Sequence, residues 1–228
     1  MFLRGYARKL QRGLVPKGTK WEEFPRRVNL GCGTDYREGW TNVDRYAARA
    51  DERFDLFRMP WPMKDASVDY VLASQFLEHV PPRIGDEDGL IELLGEVHRV
   101  LRPGGLLHVA VPYAGSDNDY NNITHYRHFI PTSLDFLDPE RTRNPPLSAQ
   151  APVRFRIHKV HVTRSFRATR LFDSGYHMPK YLGIDLNVGR KRGLTFLLEK
   201  VAADGSKTLK AGPRIEPRAG RRRDRQQK

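Results

Sequence analysis

The chain has 228 residues, of which 39% are apolar, so it is long enough to bury a hydrophobic core and suits one domain with extensions. Its single cysteine, Cys32, excludes an internal disulfide and argues against a cysteine-built metal site. No apolar run approaches the roughly 20 residues of a membrane span and the amino terminus lacks the apolar region of a secretory signal, so we expect a cytoplasmic protein without a membrane span.

The net charge of +13 is concentrated at the two ends of the chain. Residues 1–27 and 204–228 each carry +6, whereas residues 28–203 carry +1. We therefore predict a basic N-terminal extension (1–25), a folded domain (26–203) and a basic, disordered tail (204–228). Such a tail is typical of a solvated end, and it also allows a weak contact with nucleic acid or another polyanion.

Apolar segments and turn residues predict alternating strands and helices. Five segments of strand length follow one another: Arg27–Leu30, Trp40–Val43, Arg53–Leu56, Val68–Phe76 and Leu106–Tyr113. Before the fifth, leucine and valine recur at steps of three and four, which predicts a helix capped by Asp86 or Asp88 and stopped by "RPGG".

The segments after a long polar loop and a Pro-rich connection predict a β-rich end. Residues 153–167 alternate between apolar and polar side chains, and Gly193–Val201 is a last apolar run. Together the elements predict an α/β fold whose sheet is mostly parallel. In such sheets ligands bind outside the carboxyl ends of the strands, so the loops that follow these ends are the expected site.

The stretch "RRVNLGCGTDYREGWTNVD" holds the first candidate ligand loop. Gly31 and Gly33 let the backbone approach a ligand and adopt positive φ, although two glycines alone also suit a plain turn. Asp44 ends the next apolar run, where its carboxylate would accept hydrogen bonds from a ribose. Position 36 is a tyrosine and the acid follows Gly33 by only eleven residues, so an adenosine with a small attachment fits better than a pyrophosphate.

Four separated segments resemble the class I S-adenosylmethionine-dependent methyltransferases, most closely the small type 11 family. They are "VNLGCGTDYREGWTNVD", "FDLFRMPWPMKDASVDYVLASQFLEHVP" and, within "LLGEVHRVLRPGGLLHVAVP", the helix and the strand after it. The resemblance covers residues 26–137. It implies a Rossmann-like, mostly parallel sheet flanked by helices with an antiparallel carboxyl-terminal end, and S-adenosyl-L-methionine as cofactor.

The resemblance also implies positions for the cofactor. Asn29 stands where the family often has an acid. The remaining positions are a loop under the methionine part (Gly31, Cys32 and Gly33), a ribose ligand (Asp44), the side of the adenine (Asp55 and Leu56), and the sulfonium side (Ser74, Gln75 and Phe76). Cys32 has no activating base near it in sequence, so we interpret it as a small residue in a tight turn.

Methyl transfer from a sulfonium is an in-line displacement that depends mainly on orientation and needs no metal. We expect no metal site; His125 and His128 with Asp117 or Asp119 are the weak alternative. His79 and His125 are the candidate catalytic bases, with an orienting role equally open for His79.

Tyr113, Tyr126, Arg127 and His128 are the candidate acceptor contacts, with Arg127 suited to an anionic acceptor. The expected function is methylation of a small-molecule or sugar-containing acceptor. The alternatives are methylation of nucleic acid or protein, with the basic ends gripping the partner, and a non-catalytic protein that binds S-adenosylmethionine or another partner.

Overall fold

The computed structural model describes residues 21–143, 153–165 and 190–201. The strands are β1 (Arg27–Leu30), β2 (Thr41–Val43), β3 (Val68–Ser74), β4 (Arg83–Ile84), β5 (Glu87–Asp88), β6 (Leu101–Pro112), β7 (Phe155–Ser165) and β8 (Arg190–Lys200). The helices are α1 (Gly89–Val100) and α2 (Asp117–Tyr120), with short 3-10 helices at Trp21–Glu23, Leu77–His79 and Asp135–Leu137. The predicted basic tail lies outside the described residues, as does most of the predicted N-terminal extension.

Six strands form one sheet in the order β2-β1-β3-β6-β8-β7. The first four are parallel, and β8 runs antiparallel to both β6 and β7. The predicted α/β fold, mostly parallel with an antiparallel carboxyl-terminal end, is confirmed. Because β1, β2, β3 and β6 are parallel, their carboxyl ends meet at one edge of the sheet, which we call the carboxyl edge.

The helix α1 begins and ends close to the predicted limits. Asp88 is its N-cap, since its carboxylate accepts hydrogen bonds from the backbone N–H groups of Leu90 and Ile91 at 2.9 and 3.2 Å. The side chains of Leu93 and Val97 are buried against one face of the sheet. The apolar stripe read from the sequence is therefore the packing face.

The connection between β1 and β2 is unusually short for parallel strands. It spans the ten residues Gly31–Trp40 and contains no helix, whereas parallel neighbours usually need a dozen or more residues. The predicted strand Arg53–Leu56 is wrong, because only Glu52 pairs with β2, through a single bridge to Val43. The Asp55 carboxylate accepts a hydrogen bond from the Phe57 N–H at 3.0 Å, which turns the chain away from the sheet.

Both faces of the sheet are covered in the described part of the chain. The core on the α1 side includes Val71, Val109 and Phe196, while the opposite face buries a smaller cluster around Tyr70 and Leu106. No described helix is long and apolar enough to cross a membrane.

Candidate active site

The glycine loop sits at the carboxyl end of β1. Gly31 and Gly33 both have positive φ, +60° and +47°. A Cβ on Gly31 would lie 2.5 Å from the Phe76 ring, so the side chain at this position has to be absent. Nothing lies within 4 Å of the corresponding position on Gly33, which leaves its backbone open to an approaching ligand.

Cys32 fills the turn between the two glycines. Its N–H donates to the Val43 carbonyl at 3.0 Å, which ties the loop to β2. The thiol is buried, and burial raises its pKa to about 11, with the negative charge of Asp44 as the next cause. A thiol that stays protonated at neutral pH is a poor nucleophile, which agrees with a packing role.

Asp44 lies half-buried at the carboxyl end of β2, directly beside the glycine loop. One carboxylate oxygen, Oδ2, accepts from the Gly33 N–H at 2.9 Å, and the other, Oδ1, accepts from the N–H groups of Tyr46 and Ala47 at 2.7 and 2.9 Å. A carboxylate offers about four lone-pair sites, so one site on Oδ2 remains for a ligand. A ribose diol gains its second bond only if the Gly33 N–H turns away.

The Asn29 side chain bonds to the short crossover and to β2. It is buried, and its side-chain amide donates to the Asp35 carbonyl at 2.8 Å and to Asn42 Oδ1 at 3.1 Å. Asn42 in turn bonds both the backbone of Arg37 and the Asp51 carboxylate. These contacts fix the short crossover, so Asn29 positions the loop.

Asp55 and Leu56, which were predicted to lie beside the adenine, follow the single bridge between Glu52 and β2. Asp55 makes an ion pair with Arg45 at 2.7 Å. Leu56 is buried, and its carbonyl accepts from the Trp61 indole N–H at 3.0 Å. The two residues therefore present a fixed charged group and a fixed apolar group.

The segment after β3 crosses over the glycine loop. Gln75 has φ +55°, and its N–H donates to the Ala110 carbonyl at 2.7 Å, which redirects the chain after Ser74. Phe76 then packs against Gly31 and stacks on Phe57 with ring centroids 5.8 Å apart. Phe76 therefore covers Gly31 in the glycine loop, the loop that was predicted to lie under the methionine part of the cofactor.

The short helix after Phe76 carries a cluster of chemically active groups. One carboxylate oxygen of Glu78, one ring nitrogen of His79 and one of His125 all lie within 4.8 Å of one another. The His79 and His125 rings meet edge-on with centroids 4.7 Å apart. We call these three residues the histidine cluster; it brings together both of the predicted catalytic histidines.

Burial shifts the pKa values within the histidine cluster. It raises the pKa of the Glu78 carboxyl to about 8 and lowers the pKa of His79, to which the charge of His125 adds. Glu78 was not among the residues predicted from the sequence, although it stands directly before the predicted His79 in "LEHV".

The segment after β6 is attached to this cluster through its backbone. The N–H groups of Tyr126 and Arg127 both donate to the Glu78 carbonyl, at 2.8 and 3.1 Å. Tyr113 bridges to Phe129, so the two ends of the segment are pinned. Of the predicted acceptor residues, Tyr126 and Arg127 are thus joined to the histidine cluster through their backbone.

Arg127 and His128 are already engaged by the protein. The Arg127 guanidinium donates to the carbonyls of Pro81 and Pro82 at 3.0 and 2.9 Å and pairs with the Asp88 carboxylate at 3.0 Å. His128 lies 3.0 Å from both carboxylate oxygens of the buried Asp119. Arg127 therefore holds the segment in place, and the anion-pairing role expected for it has no support in this geometry.

A cavity of about 480 Å³ lies elsewhere, at the amino-terminal ends of the strands. Its lining includes Arg26, Trp40 and Val68. Ligands of parallel α/β sheets bind at the opposite edge, so we attach no chemistry to this cavity.

Comparisons with known proteins agree with this geometry. Residues 16–109 match a family model described as "Methyltransferase domain". The chain is similar in structure to a SAM-dependent methyltransferase from Archaeoglobus fulgidus, with 18% identity, coverage of 86% of this chain and 94% of that chain, and a TM-score of 0.57. It is also similar to an S-adenosylmethionine-dependent methyltransferase from Mesorhizobium loti, with 17% identity, coverage of 84% of this chain and 96% of that chain, and a TM-score of 0.51. No curated protein matches the chain. The class I fold is confirmed, and the match over residues 16–109 agrees with the resemblance read from the sequence.

Proposed function

We propose that this chain, which carries a class I S-adenosylmethionine-dependent methyltransferase domain, methylates a small-molecule or sugar-containing acceptor held beside the histidine cluster. The family match supports the activity class and S-adenosylmethionine as the methyl donor. The link between the glycine loop and the histidine cluster carries the proposal: Phe76 covers Gly31, and Glu78 and His79 follow two and three residues later.

The residues at the carboxyl edge fit the donor. The exposed backbone of Gly33 and the remaining lone-pair site of Asp44 suit a ligand with both a polar chain and hydroxyl groups. S-adenosylmethionine supplies a methyl group on a positively charged sulfur, which is a good leaving group. The role left to the protein is to orient an acceptor in line with that bond, which is worth roughly 7–11 kcal/mol in the best cases.

Exposed apolar side chains beside the cluster support a small acceptor. Four large hydrophobic side chains in the segment after β6 are at least 46% exposed: Tyr120, Ile123, Tyr126 and Ile130. Exposed apolar side chains that form a contiguous patch are typical of ligand sites, and these four lie in one segment of the chain. Two tyrosines beside a histidine pair suit a ring that carries hydroxyl groups, such as a sugar or a phenol.

The proton of a hydroxyl acceptor has a destination in this geometry. His79 and His125 each use Nδ1 for a hydrogen bond to the protein, so each has Nε2 left to accept a proton. A positioned base of this kind typically accelerates a reaction by 10²–10⁴-fold.

Calorimetry with S-adenosylmethionine tests the donor half of the proposal. We expect Asp44→Ala to weaken binding by about tenfold or more, equivalent to 1.4 kcal/mol, because the variant loses both the ligand contact and the anchor of Gly33. Glu38→Ala, an exposed acid of the same loop, is the control and should bind normally. Equal affinity in the two variants would reject the assignment of Asp44.

Labelled S-adenosylmethionine, incubated with fractionated cell extract, tests the acceptor half. Label in a small-molecule fraction supports the proposal. The +6 charge at each end of the chain favours a second candidate, a nucleic-acid or protein substrate, and label in those fractions would replace the first. Binding of the donor without label in any fraction would favour a non-catalytic protein.

A further inference from the structure

We propose that Glu78, His79 and His125 bind one divalent transition-metal ion, with Zn²⁺ as the reference ion. The three residues offer two imidazole nitrogens and one carboxylate oxygen within 4.8 Å of one another. Two histidines and one carboxylate are a ligand set found in both zinc and non-haem iron sites.

The Glu78 side chain is the strongest sign of a missing partner. The residue is 1% exposed, and both of its carboxylate oxygens are buried without a hydrogen bond. Among the described residues no other carboxylate has both oxygens in this condition. A buried acceptor without a partner costs about 1–3 kcal/mol, so a group kept in this state calls for a ligand.

The hydrogen bonds of the two histidines leave the same nitrogen available on each ring. His125 Nδ1 lies 2.8 Å from the Asp119 carbonyl, and His79 Nδ1 lies 3.2 Å from the Thr124 carbonyl. A carbonyl oxygen only accepts, so both Nδ1 atoms carry the proton and both Nε2 atoms have a lone pair. A backbone carbonyl or carboxylate on the second nitrogen is the usual support for a metal-binding histidine.

The Thr124 hydroxyl reinforces this state of His79. It donates to Asn122 Oδ1 at 2.9 Å, so its oxygen is left to accept from His79 Nδ1 at 2.9 Å. The orientation of the ring is thus fixed by a side chain and a backbone group together. These contacts are present before any ion binds, which reduces the cost of ordering the ligands.

The neighbouring His128 and Asp119 form a less suitable set. Asp119 Oδ2 accepts from the Gly115 N–H at 2.9 Å, and both of its carboxylate oxygens lie 3.0 Å from His128 Nδ1. Asp119 is therefore already partnered, in contrast to Glu78. We assign Asp119 a supporting role, in which its backbone carbonyl accepts a hydrogen bond from His125 Nδ1.

The donor types select the class of ion. Mg²⁺ and Ca²⁺ prefer all-oxygen sites, whereas imidazole suits Zn²⁺, Co²⁺ and Fe²⁺. Ligand bonds of roughly 2.0–2.2 Å hold the ligand atoms of one ion within about 4.4 Å of one another, and the three atoms already lie within 4.8 Å. Three protein ligands leave at least one position open on the ion.

The predicted acceptor residues Tyr126 and Arg127 adjoin the three ligands, since their N–H groups donate to the Glu78 carbonyl. An acceptor hydroxyl bound to the ion would lose its proton more readily, and the proton would pass to solvent, because the ion would occupy the Nε2 lone pairs that otherwise accept it. This consequence rests on the proposed function, whereas ion binding itself does not.

Direct binding measurements test the site without methyl transfer. The full-length protein is treated with chelator, dialysed, and titrated with ZnCl₂ by calorimetry and with CoCl₂ by visible absorption, which reports the ligand field. We expect one ion per chain, a loss of affinity beyond about 100-fold in His79→Ala and His125→Ala, and a loss of about tenfold in Glu78→Gln. His128→Ala is the matched control and should bind as the parent does.

Two results would overturn the assignment. The first is saturation with neither ion in the parent protein. The second is binding that His128→Ala abolishes while Glu78→Gln and His79→Ala leave it unchanged, which would move the ion to Asp119. Zn²⁺ should also raise the melting temperature of the parent and of His128→Ala but not of His79→Ala, which separates loss of the site from loss of the fold. Donor binding that fails while Zn²⁺ binding succeeds would count against the proposed function alone.

Discussion

The carboxyl edge has two halves, one around the glycine loop and one around the histidine cluster. The two halves differ in how many hydrogen-bond partners their buried polar groups have. In the glycine half, Asn42 satisfies its side chain through five hydrogen bonds to its surroundings. In the histidine half, Glu78 is equally buried and has no side-chain partner. The first half is a prearranged backbone frame, and the second retains unused capacity for a ligand.

The largest loss of stability is expected from removing the Asn42 side chain, which lies at the centre of the hydrogen bonds in the glycine half. Asn42→Ala removes the side-chain acceptor of the Arg37 N–H and one partner each of the Asn29 amide and the Asp51 carboxylate, so we expect the free energy of unfolding to fall by about 3 kcal/mol. Chemical denaturation measures the loss. Asn121→Ala, at an exposed asparagine, is the control, and an equal effect in both variants would show that the network does not stabilise the loop.

Gly31→Ala separates the close contact in this frame from its backbone strain. We expect a loss of about 2 kcal/mol, because the new Cβ meets the Phe76 ring at 2.5 Å and φ is +60°. Gly39→Ala shares the positive φ, +72°, but its nearest neighbour is the flexible Arg27 side chain at 3.5 Å. If both variants lose the same stability by denaturation, strain alone explains Gly31.

The sequence predicted those parts of the fold that depend on local periodicity. The stripe that includes Leu93 and Val97 located α1, and unbroken apolar runs located β3 and the later part of β6. The run Arg53–Leu56 failed because Leu56 is buried in the core without pairing in the sheet. Apolar content reports burial, while strand pairing depends on the backbone hydrogen bonds of neighbours that are distant in sequence.

The candidate site divides in the same way. His79 and His125 were selectable because histidine is a recognisable residue type, although 45 positions separate His79 from Thr124, the residue that orients its ring. The capacity of the Glu78 carboxylate to bind a ligand could not be predicted from the sequence, because it depends on which side of a three-residue helix is buried. The structural role of Arg127 could not be predicted from the sequence for a related reason. Its guanidinium donates to the backbone carbonyls of Pro81 and Pro82, which are distant from it in sequence.

Replacing Glu78 with an apolar residue tests the unpartnered half of the comparison. In chelator, we expect Glu78→Leu to raise the free energy of unfolding by about 1 kcal/mol, because it removes a buried carboxyl that has no hydrogen bond. Glu96→Leu is the matched substitution. Glu96 is a buried glutamate that accepts from the backbone N–H of Trp61 and pairs with Arg99, both at 2.6 Å. That variant should lose stability. Losses of similar size in both would contradict the difference between the halves.

His108 extends the comparison to the opposite face of the sheet, where the smallest effect is expected. It is buried, its Nε2 has no partner, and its Nδ1 meets the Tyr70 hydroxyl at 2.7 Å. Burial lowers its pKa to about 4, with the charge of Arg37 as a lesser cause. The folded state therefore resists a proton that the unfolded chain accepts below a pKa of about 6.5.

Stability should consequently fall as the pH decreases from about 6.5 towards 4, since the unfolded state then binds more protons than the folded state. We expect His108→Gln to reduce the loss between pH 7 and pH 5 by about 1 kcal/mol, measured by urea denaturation at both values. The part of the pH dependence that comes from His98 should remain in the variant, because burial also lowers the pKa of His98 to about 4. His161→Gln, at an exposed position on β7, should keep the full dependence of the parent. A His108 variant with that same full dependence would show that the buried imidazole is not the group resisting protonation, and the contrast between partnered and unpartnered groups would then be confined to the carboxyl edge.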